Sequence, residues 1–258
     1  MIDVTIAVDT QRIAGKLLLP PDGRGRGPAV LFVHGWGSSQ RRSIGKSKQI
    51  VTRGYACLTF NLRGHARTLR QRDTVTRAQN LRDIIAAYDV LVARPEVDAA
   101  HVAVVGSSYG GYLATLLTTE RKVRALALRA PAMYKDEDFD RPKRQLNLDP
   151  DLPAYRGQRL TPADNMVLAA ASRFEGDVLV VESEHDTVIP RPVIENYVRA
   201  FGAAASVRHE VMAGADHALN TEASRRAWGA LLLGWLLERV PPPMRVPQSI
   251  AAREPRVD

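Results

Sequence analysis

Short, almost wholly apolar runs recur along this chain and alternate with stretches of helical spacing. A run of this kind is typical of a strand buried on both faces. The apolar runs lie at 29–33, 55–60, 102–105, 123–128 and 178–181, with a weaker one at 207–212. Apolar residues recur at helical spacing over 83–93, 109–119, 192–201 and 221–238. This alternation predicts the α/β fold class: a mostly parallel sheet with right-handed crossovers and helices on both faces.

The segments outside this alternation complete the predicted architecture. Residues 4–8 alternate apolar and polar side chains and 13–19 form a second extended run, so the chain opens as a hairpin and the sheet has about eight strands. The stretch 131–175 is polar, contains prolines and is longer than an ordinary connection, which predicts an insertion that forms at most a small cap. We therefore expect one domain over 1–240, followed by an extended or mobile Pro-rich tail at 241–258.

Composition narrows the class and the compartment. With 45% hydrophobic and 25% charged residues the chain has the make-up of a globular protein and not of a disordered one. The single cysteine, Cys57, lies in the apolar run YACLTF, so we expect a buried thiol and no intrachain disulfide. The N-terminus has no basic region followed by a long apolar stretch, and apolar runs such as 230–237 are shorter than the roughly 20 residues of a membrane span. We therefore expect a cytoplasmic protein without a membrane span.

The net charge of +8 is unevenly distributed. Between residues 41 and 83 eleven Lys and Arg residues stand against only Asp73 and Asp83. The segment has no RNP motif, zinc-finger spacing or basic helix with interleaved aromatics, so nucleic acid is not the expected partner and a solvated basic face is favoured. Attraction of an anionic substrate, membrane surface or partner is the alternative. A non-catalytic protein that binds anions through segment 41–83 is therefore one functional hypothesis.

The motif GSSYGG at 106–111 is the most informative feature for function. It follows the apolar run HVAVV and precedes the helical stretch YLATLLTTE, which gives the order strand, tight turn, helix. In a G-x-S-x-G nucleophile elbow the serine adopts a strained φ, and a side chain at either glycine would collide across the turn. Ser108 has this spacing to Gly106 and Gly110. The motif predicts a serine nucleophile at the start of a helix; a plain strand-to-helix turn is the alternative.

A serine nucleophile needs a base, and the base needs an orienting carboxylate. Both residue types follow on later strand ends: Asp186 comes after the run VLVVE, and His217 comes after the weaker last strand. Asp186 has Glu184 and Asp177 as alternatives, and Asp186 could also be a helix N-terminal acid. The other candidates for the base are His34, His65, His101, His185 and His209.

Histidine and aspartate also stand side by side at two places, which raises the question of a metal. His185 adjoins Asp186, and Asp216 adjoins His217. No third and fourth ligand stands at a recognisable spacing, so we predict neither a metal site nor a cofactor.

Four motifs together resemble the serine α/β-hydrolase family, from about residue 17 to 237. They are HGWG at 34–37, GSSYGG at 106–111, the aspartate in EHDTVIP and the histidine in GADHAL. The resemblance implies that Ser108 is the nucleophile, His217 the general base and then acid, and Asp186 the carboxylate that fixes the imidazole tautomer. It also implies an oxyanion hole formed by the backbone N–H groups of Tyr109 and Trp36.

Two branches of that family share features with this chain. The motif GSSYGGY resembles the prolyl-oligopeptidase and acylaminoacyl-peptidase branch, although the large N-terminal propeller of that branch is absent from this sequence. The length is closer to capless esterases and to dienelactone-hydrolase-like enzymes, which commonly have cysteine at the position of Ser108. Residues 61–68 read NLRGHART where many members have D-x-R-G-x-G-x-S, a departure that bears on the subfamily.

The resemblance implies acyl transfer to water through an acyl-enzyme on Ser108, without a cofactor. The expected partner is a small-molecule ester or amide; we favour a short-chain or aryl carboxylic ester, with an amide or short peptide as the alternative. From the 131–175 insertion, Met133, Tyr134 and Phe139 are candidates for the substrate pocket, and ordinary packing beneath the insertion is an equally open interpretation.

Overall fold

The computed structural model describes residues 1–21 and 25–243. Most of the Pro-rich tail predicted at 241–258 lies outside the described residues. The strands are β1 (Ile2–Val8), β2 (Gln11–Leu18), β3 (Gly27–Val33), β4 (Ala56–Phe60), β5 (Val97–Ser107), β6 (Ala125–Arg129), β7 (Asp177–His185) and β8 (Ser206–Asp216). The α-helices are α1 (Arg41–Val51), α2 (Arg77–Val92), α3 (Tyr109–Leu117), α4 (Lys143–Leu146), α5 (Leu152–Arg156), α6 (Met166–Ser172), α7 (Arg191–Ala200) and α8 (Glu222–Arg239), and a 3-10 helix spans Ala66–Gln71.

The strands form one eight-stranded sheet in the order β1-β2-β4-β3-β5-β6-β7-β8. The hairpin of β1 and β2 is antiparallel and joins the sheet antiparallel to β4, whereas the strands from β4 to β8 in this order pair in parallel. The predicted fold class, a mostly parallel sheet of about eight strands, is confirmed. The carboxyl ends of the parallel strands share one edge of the sheet, where ligands bind in open α/β sheets.

The central strands are apolar throughout because both of their faces are covered. In β3, Ala29, Leu31 and Val33 face a core built with α2, α3, α6 and α7, and Val30 and Phe32 face a second core built with α1 and α8. This alternation follows from the two-residue period of a strand. The thiol of Cys57 is buried in the second core, as predicted, and burial raises its pKa.

Helix α2 begins at Arg77, six residues before the start of the predicted helical stretch. A capping box explains the difference: the N–H of Gln79 donates to the Thr76 hydroxyl at 3.1 Å, and the N–H of Thr76 donates to the Gln79 side chain at 3.0 Å. The first turn of α2 is polar, so the spacing of apolar residues alone did not reveal it.

The 131–175 stretch contains the short helices α4, α5 and α6, which the sequence pattern did not predict. Helix α6 packs against α3 and α7, and Val167 and Leu168 belong to the first core. We infer that this stretch is an insertion within one domain over 1–240, since its apolar side chains join the core of the sheet.

The basic segment 41–83 is not a single solvated face, which corrects that interpretation. Arg63 is buried, and its guanidinium lies 2.6 Å from a carboxylate oxygen of Asp83 and 2.7 Å from one of Asp9. Arg77 is fully buried and donates to the Tyr112 hydroxyl at 3.0 Å. Within the described ranges, no helix is both long and apolar enough to cross a bilayer.

Candidate active site

Ser108 stands on a tight turn between β5 and α3. Its φ of 51° and ψ of −119° are strained for a residue with a side chain. The turn is held by backbone hydrogen bonds, because the N–H of Ser108 donates to the Arg129 carbonyl at 2.9 Å and the Ser108 carbonyl accepts from Gly111 at 2.9 Å. The predicted strand, turn and helix are thus present, with the serine at the carboxyl end of a central strand.

Both glycines of the motif are required by close backbone approach. A Cβ on Gly106 would lie 2.5 Å from the Gly110 carbonyl oxygen, and a Cβ on Gly110 would lie 2.3 Å from the Val33 carbonyl oxygen. Because these contacts are with main-chain atoms, a side chain could be accommodated only by moving β3 or the turn. The steric prediction from the motif agrees with this packing.

The side chains of Ser108, His217 and Asp186 meet at the carboxyl edge of the sheet. Nε2 of His217 lies 3.1 Å from the Ser108 hydroxyl oxygen, and Nδ1 lies 2.7 Å from Oδ2 of Asp186. The three residues come from the turn after β5, the loop after β7 and the loop after β8. Hydrogen-bond distances therefore connect hydroxyl, imidazole and carboxylate in one line, a geometry that can move a proton away from the serine.

The Asp186 carboxylate is held by three donors. Its Oδ1 accepts from the backbone N–H groups of Val188 and Ile189, each at 2.8 Å, and its Oδ2 faces His217. Burial alone would raise the pKa of Asp186, but these hydrogen bonds outweigh burial, and the pKa lies below its ordinary value. Asp186 is therefore ionised near neutral pH.

The two alternative carboxylates, Glu184 and Asp177, bind groups other than His217. Glu184 accepts from the N–H of Gly214 at 2.7 Å. Asp177, at the opposite end of β7, lies 2.5 Å from the guanidinium of Arg124 and accepts from the Ser206 hydroxyl at 2.6 Å. Among the three candidates, only Asp186 has a hydrogen bond to His217 in the described part of the chain.

Three arginines fix the loop that carries His217. Arg129 donates to the His217 carbonyl at 2.8 Å, Arg42 donates to the Ala218 carbonyl at 2.8 Å, and Arg225 donates to the Leu219 carbonyl at 2.9 Å. The sequence analysis did not identify these residues. The one signal for Arg129 was a charged residue at the end of the otherwise apolar run ALALR, which predicts a buried polar contact at the strand end.

The HGWG loop lies directly against the serine and is pinned by two histidines. A Cβ on Gly35 would lie 3.3 Å from the Cβ of Ser108. His65 accepts from the Gly37 N–H at 3.0 Å through Nε2, and His34 accepts from the Leu62 N–H at 3.1 Å through Nε2. Nδ1 of His34 lies 2.8 Å from the Gly35 carbonyl, so that ring position carries the proton. Both histidines are buried, and both support the main chain of this loop.

The backbone N–H groups predicted for the oxyanion hole belong to Tyr109, which directly follows Ser108, and to Trp36, which follows Gly35 in the loop packed against Ser108. Neither amide donates to a protein acceptor within the described residues. The Trp36 side chain lies against Tyr109, with ring centroids 5.7 Å apart, and the ammonium of the buried Lys143 lies 4.9 Å from the Trp36 ring centroid. Unpaired backbone N–H groups are the kind of donor that can stabilise an oxyanion.

A cavity of about 280 Å³ opens beside Ser108 and His217. It lies between the HGWG loop, α1, α8 and the loop that carries His217, on the side of the sheet that packs against α1 and α8. Trp36 forms part of its wall. The cavity is large enough to receive part of a small-molecule substrate.

The insertion residues predicted for the substrate pocket do not reach this cavity. Met133 and Tyr134 are buried in the core on the other side of the sheet, and Phe139 is half-buried and packs against that core. The Tyr134 ring lies edge-on to Tyr109 and Tyr112, with centroids 6.0 and 5.2 Å apart. Their apolar character is accounted for by packing beneath the insertion.

The remaining histidines lie away from Ser108. His101 is exposed and pairs with Asp98 at 2.6 Å, and His209 lies 3.3 Å from Glu182. His185 is exposed beside Glu184. In residues 1–21 and 25–243, no group of three or more His, Cys, Asp or Glu side chains is placed to hold a metal ion.

Comparison with solved structures supports the fold assignment. Est1E from Butyrivibrio proteoclasticus, determined with ferulic acid bound, aligns with a TM-score of 0.71 at 16% identity over 92% of this chain and 99% of its own. The acylaminoacyl peptidase of Pyrococcus horikoshii aligns with a TM-score of 0.70 at 15% identity over 93% of this chain and 41% of its own. The sheet order and these neighbours show that the chain has the α/β-hydrolase fold.

Sequence comparison then gives the family. Residues 43–241 match the prolyl oligopeptidase family, and the chain belongs to it. Hydrolase pyiE of Pyricularia grisea is 30% identical over 153 residues, which cover 53% of this chain and 32% of that protein. The chain thus spans about a third of the length of this curated relative. The relatives and structural neighbours include both esterases and peptidases. The activity of this chain and the bond that it cleaves are therefore separate questions.

Proposed function

We propose that the protein is a serine hydrolase that cleaves carboxylic esters through an acyl-enzyme on Ser108. The observation that carries the proposal is the line of hydrogen bonds from the Ser108 hydroxyl through His217 to Asp186, with distances of 3.1 and 2.7 Å. The strained φ of Ser108 supports it, because such strain at a turn between strand and helix is typical of a nucleophile held out from the backbone.

The geometry supports a two-step reaction. In the first step Ser108 Oγ attacks the ester carbonyl carbon while its proton passes to Nε2 of His217. The tetrahedral oxyanion receives hydrogen bonds from the Tyr109 and Trp36 amides, and on its collapse the alcohol leaves with the proton from His217. In the second step His217 removes a proton from water, the hydroxide attacks the acyl carbon, and Ser108 recovers its proton as the acid departs.

An ester is proposed because Est1E, which binds ferulic acid, aligns with this chain over 99% of its own length, whereas the acylaminoacyl peptidase aligns over only 41% of its own. We favour a short-chain or aryl ester, since the cavity of about 280 Å³ is small. An amide or short-peptide substrate is the second candidate, and the match to the prolyl oligopeptidase family supports it.

Labelling with a fluorophosphonate tests the nucleophile. We expect one adduct on the wild-type protein, mapped by fragment ions to Ser108 and not to Ser107. The adduct should be absent in Ser108→Ala and greatly slowed in His217→Ala, whereas His101→Ala, which changes an exposed histidine remote from the site, should label like wild type. A folded protein without an adduct would contradict the proposal. It would favour the non-catalytic alternative, in which segment 41–83 binds a polyanion in a salt-sensitive way that survives Ser108→Ala.

A matched substrate pair tests the bond that is cleaved. We expect 4-nitrophenyl butyrate to be hydrolysed with a much higher kcat/KM than butyryl 4-nitroanilide, and both activities to be lost in Ser108→Ala by about 10⁴-fold or more. A feruloyl aryl ester extends the panel, because Est1E, a structural neighbour, binds ferulic acid. Comparable rates on ester and anilide would instead support the amide candidate.

A further inference from the structure

One wall of the cavity beside Ser108 is cationic. Arg42, Lys46, Arg129 and Arg225 all line it, and none of its lining residues is Asp or Glu. Arg42 and Lys46 come from α1, Arg129 ends β6 and Arg225 belongs to α8. Four positive side chains from three separate elements therefore meet at the space that Ser108 and His217 also face.

In the part of the chain that the structure describes, none of these four cations forms a direct ion pair with a carboxylate. None lies within 4.0 Å of a carboxylate oxygen in residues 1–21 and 25–243. Their hydrogen bonds go to main-chain carbonyls instead: Lys46 donates to the Arg42 carbonyl at 2.9 Å, and Arg129 makes one bond, to the His217 carbonyl. The ammonium of Lys46 has three N–H donors and the guanidinium of Arg129 has five. Most of these donors therefore have no protein acceptor within the described residues.

The positive charges of Lys46, Arg129 and Arg42 repel one another. Burial and the nearby charges of Arg129 and Arg42 lower the pKa of Lys46 to about 8. Burial is also the main cause that lowers the pKa of Arg129 to about 10; Arg42 lowers it further, whereas Asp186 and Asp216 act in the opposite direction. Like charges held together and half-desolvated are unfavourable unless an anion compensates them. Asp186 and Asp216 partly compensate the charge of Arg129 from outside the cavity, but no carboxylate lines the cavity itself. An anionic ligand can therefore supply the direct partner that Lys46 and Arg129 lack there.

Apolar side chains form another part of the cavity wall. Phe32, Val105, Leu219 and Trp228 line it together with the cations. A ligand that matches both surfaces has a short apolar stretch and an anionic end. Arginine forks match the two oxygens of a carboxylate, and a carboxylate on a hydrocarbon chain combines the two properties.

We propose that this cavity binds the carboxylate of the substrate, so that the preferred ester is a half-ester of a dicarboxylic acid. The inference rests on the proposed function, because it specifies which ester reaches Ser108. Within it, Lys46 and Arg129 bind the anionic end of the acyl chain, while the ester carbonyl lies at the Ser108 hydroxyl. The acyl-transfer step itself is unchanged.

Kinetics with a matched pair of esters test the proposal. We expect the 4-nitrophenyl half-ester of adipic acid to have a kcat/KM at least about tenfold above that of 4-nitrophenyl hexanoate, which has an acyl chain of the same length without the charge. Lys46→Met should lower this ratio about tenfold. Lys48→Met, which removes an exposed lysine of the same helix, should leave the ratio and the activity as in wild type.

If the cations served only to hold the His217 loop, Lys46→Met would lower the rates on both esters alike and leave their ratio unchanged. That result, or a wild-type preference for the hexanoate, would overturn the proposal. The melting temperatures of both lysine variants are measured alongside, because Lys46 and Lys48 share helix α1.

Binding to the Ser108→Ala protein separates this inference from the proposed function. We expect titration calorimetry to detect adipate, with weaker binding in the Ser108→Ala, Lys46→Met double variant and little binding of hexanamide, which has the same chain length without a charge. If adipate binds in this way but no ester is hydrolysed by wild type, the proposed function fails and the anion site stands. If esters are hydrolysed but adipate does not bind, the anion site fails alone. Inorganic phosphate that binds as tightly as adipate would contradict the assignment to a carboxylate.

Discussion

At the residue scale, the partners of His217 determine which of its ring nitrogens carries the proton. Ionised Asp186 can only accept hydrogen bonds, so Nδ1 of His217 must be the donor at 2.7 Å. In a neutral ring with the proton on Nδ1, Nε2 presents a lone pair to the Ser108 hydroxyl at 3.1 Å. A single carboxylate thus sets the tautomer in which the imidazole can act as a base.

The first prediction concerns that carboxylate. Asp186→Asn replaces an acceptor with an amide that can donate to Nδ1 and so stabilise the other tautomer. We expect kcat on 4-nitrophenyl butyrate to fall by about 10⁴-fold, with the fold preserved. Glu184→Gln is the control, since Glu184 bonds to Gly214 and not to His217. A loss below tenfold in Asp186→Asn, or a larger loss in Glu184→Gln, would contradict the assignment of Asp186.

Motifs identified Ser108, Asp186 and His217 because each stands at a strand end with a recognisable local sequence. Arg129 lacked such a signal. Its partner is the main-chain carbonyl of His217, 88 residues away, and any residue type offers a carbonyl. The substrate-pocket residues could not be predicted either, because the cavity lies towards α1 and α8 and not beneath the insertion.

At the scale of elements, burial explains which predictions succeeded. The strands were predicted because both of their faces are covered, which requires continuous apolar runs. Helices α4, α5 and α6 have only four, five and seven residues, too few to show a helical period. Close packing of the main chain also means that the turn between β5 and α3 cannot accept a side chain at Gly106 or Gly110 without moving.

The second prediction tests that packing. Gly110→Ala places a Cβ 2.3 Å from the Val33 carbonyl oxygen, so β3 or the elbow must move. We expect the free energy of unfolding, measured by urea denaturation, to fall by about 1–3 kcal/mol. Gly45→Ala is the matched control, since its Cβ would meet no atom within 4 Å in helix α1. There the change should raise stability by up to about 1 kcal/mol. Equal effects of the two substitutions would contradict the steric interpretation.

At the scale of the whole molecule, the sheet separates two cores, and the candidate site lies where their loops meet at its carboxyl edge. The HGWG loop joins β3 to α1, and His34 and His65 bind it to the segment after β4. Both rings accept a main-chain N–H through Nε2, which requires neutral imidazole. The native fold therefore depends on two histidines that must not be protonated.

The third prediction follows from the pKa values of these histidines. Burial is the main cause that lowers the pKa of His34 to about 3 and that of His65 to about 4. In the unfolded chain both have a pKa near 6.5, so below that pH the unfolded state binds protons that the folded state does not. Stability is therefore complete above pH ~6.5 and falls as the pH drops towards 4, by about 1.4 kcal/mol per pH unit for each histidine.

Urea denaturation at a series of pH values from neutral to mildly acidic measures this slope. His65→Gln keeps an acceptor for the Gly37 N–H but does not titrate. The slope of its free energy of unfolding against pH should therefore be smaller than that of wild type by about 1.4 kcal/mol per pH unit, the contribution of one proton. His101→Gln, which changes an exposed histidine, should keep the wild-type slope. Carboxylates with a lowered pKa, such as Asp186, stop stabilising the fold only as the pH falls below about 4. The effect of the histidines and that of the carboxylates therefore appear in separate pH ranges. A wild-type stability that stays constant from pH ~6.5 to ~4.5 would show that the HGWG loop does not depend on neutral His34 and His65.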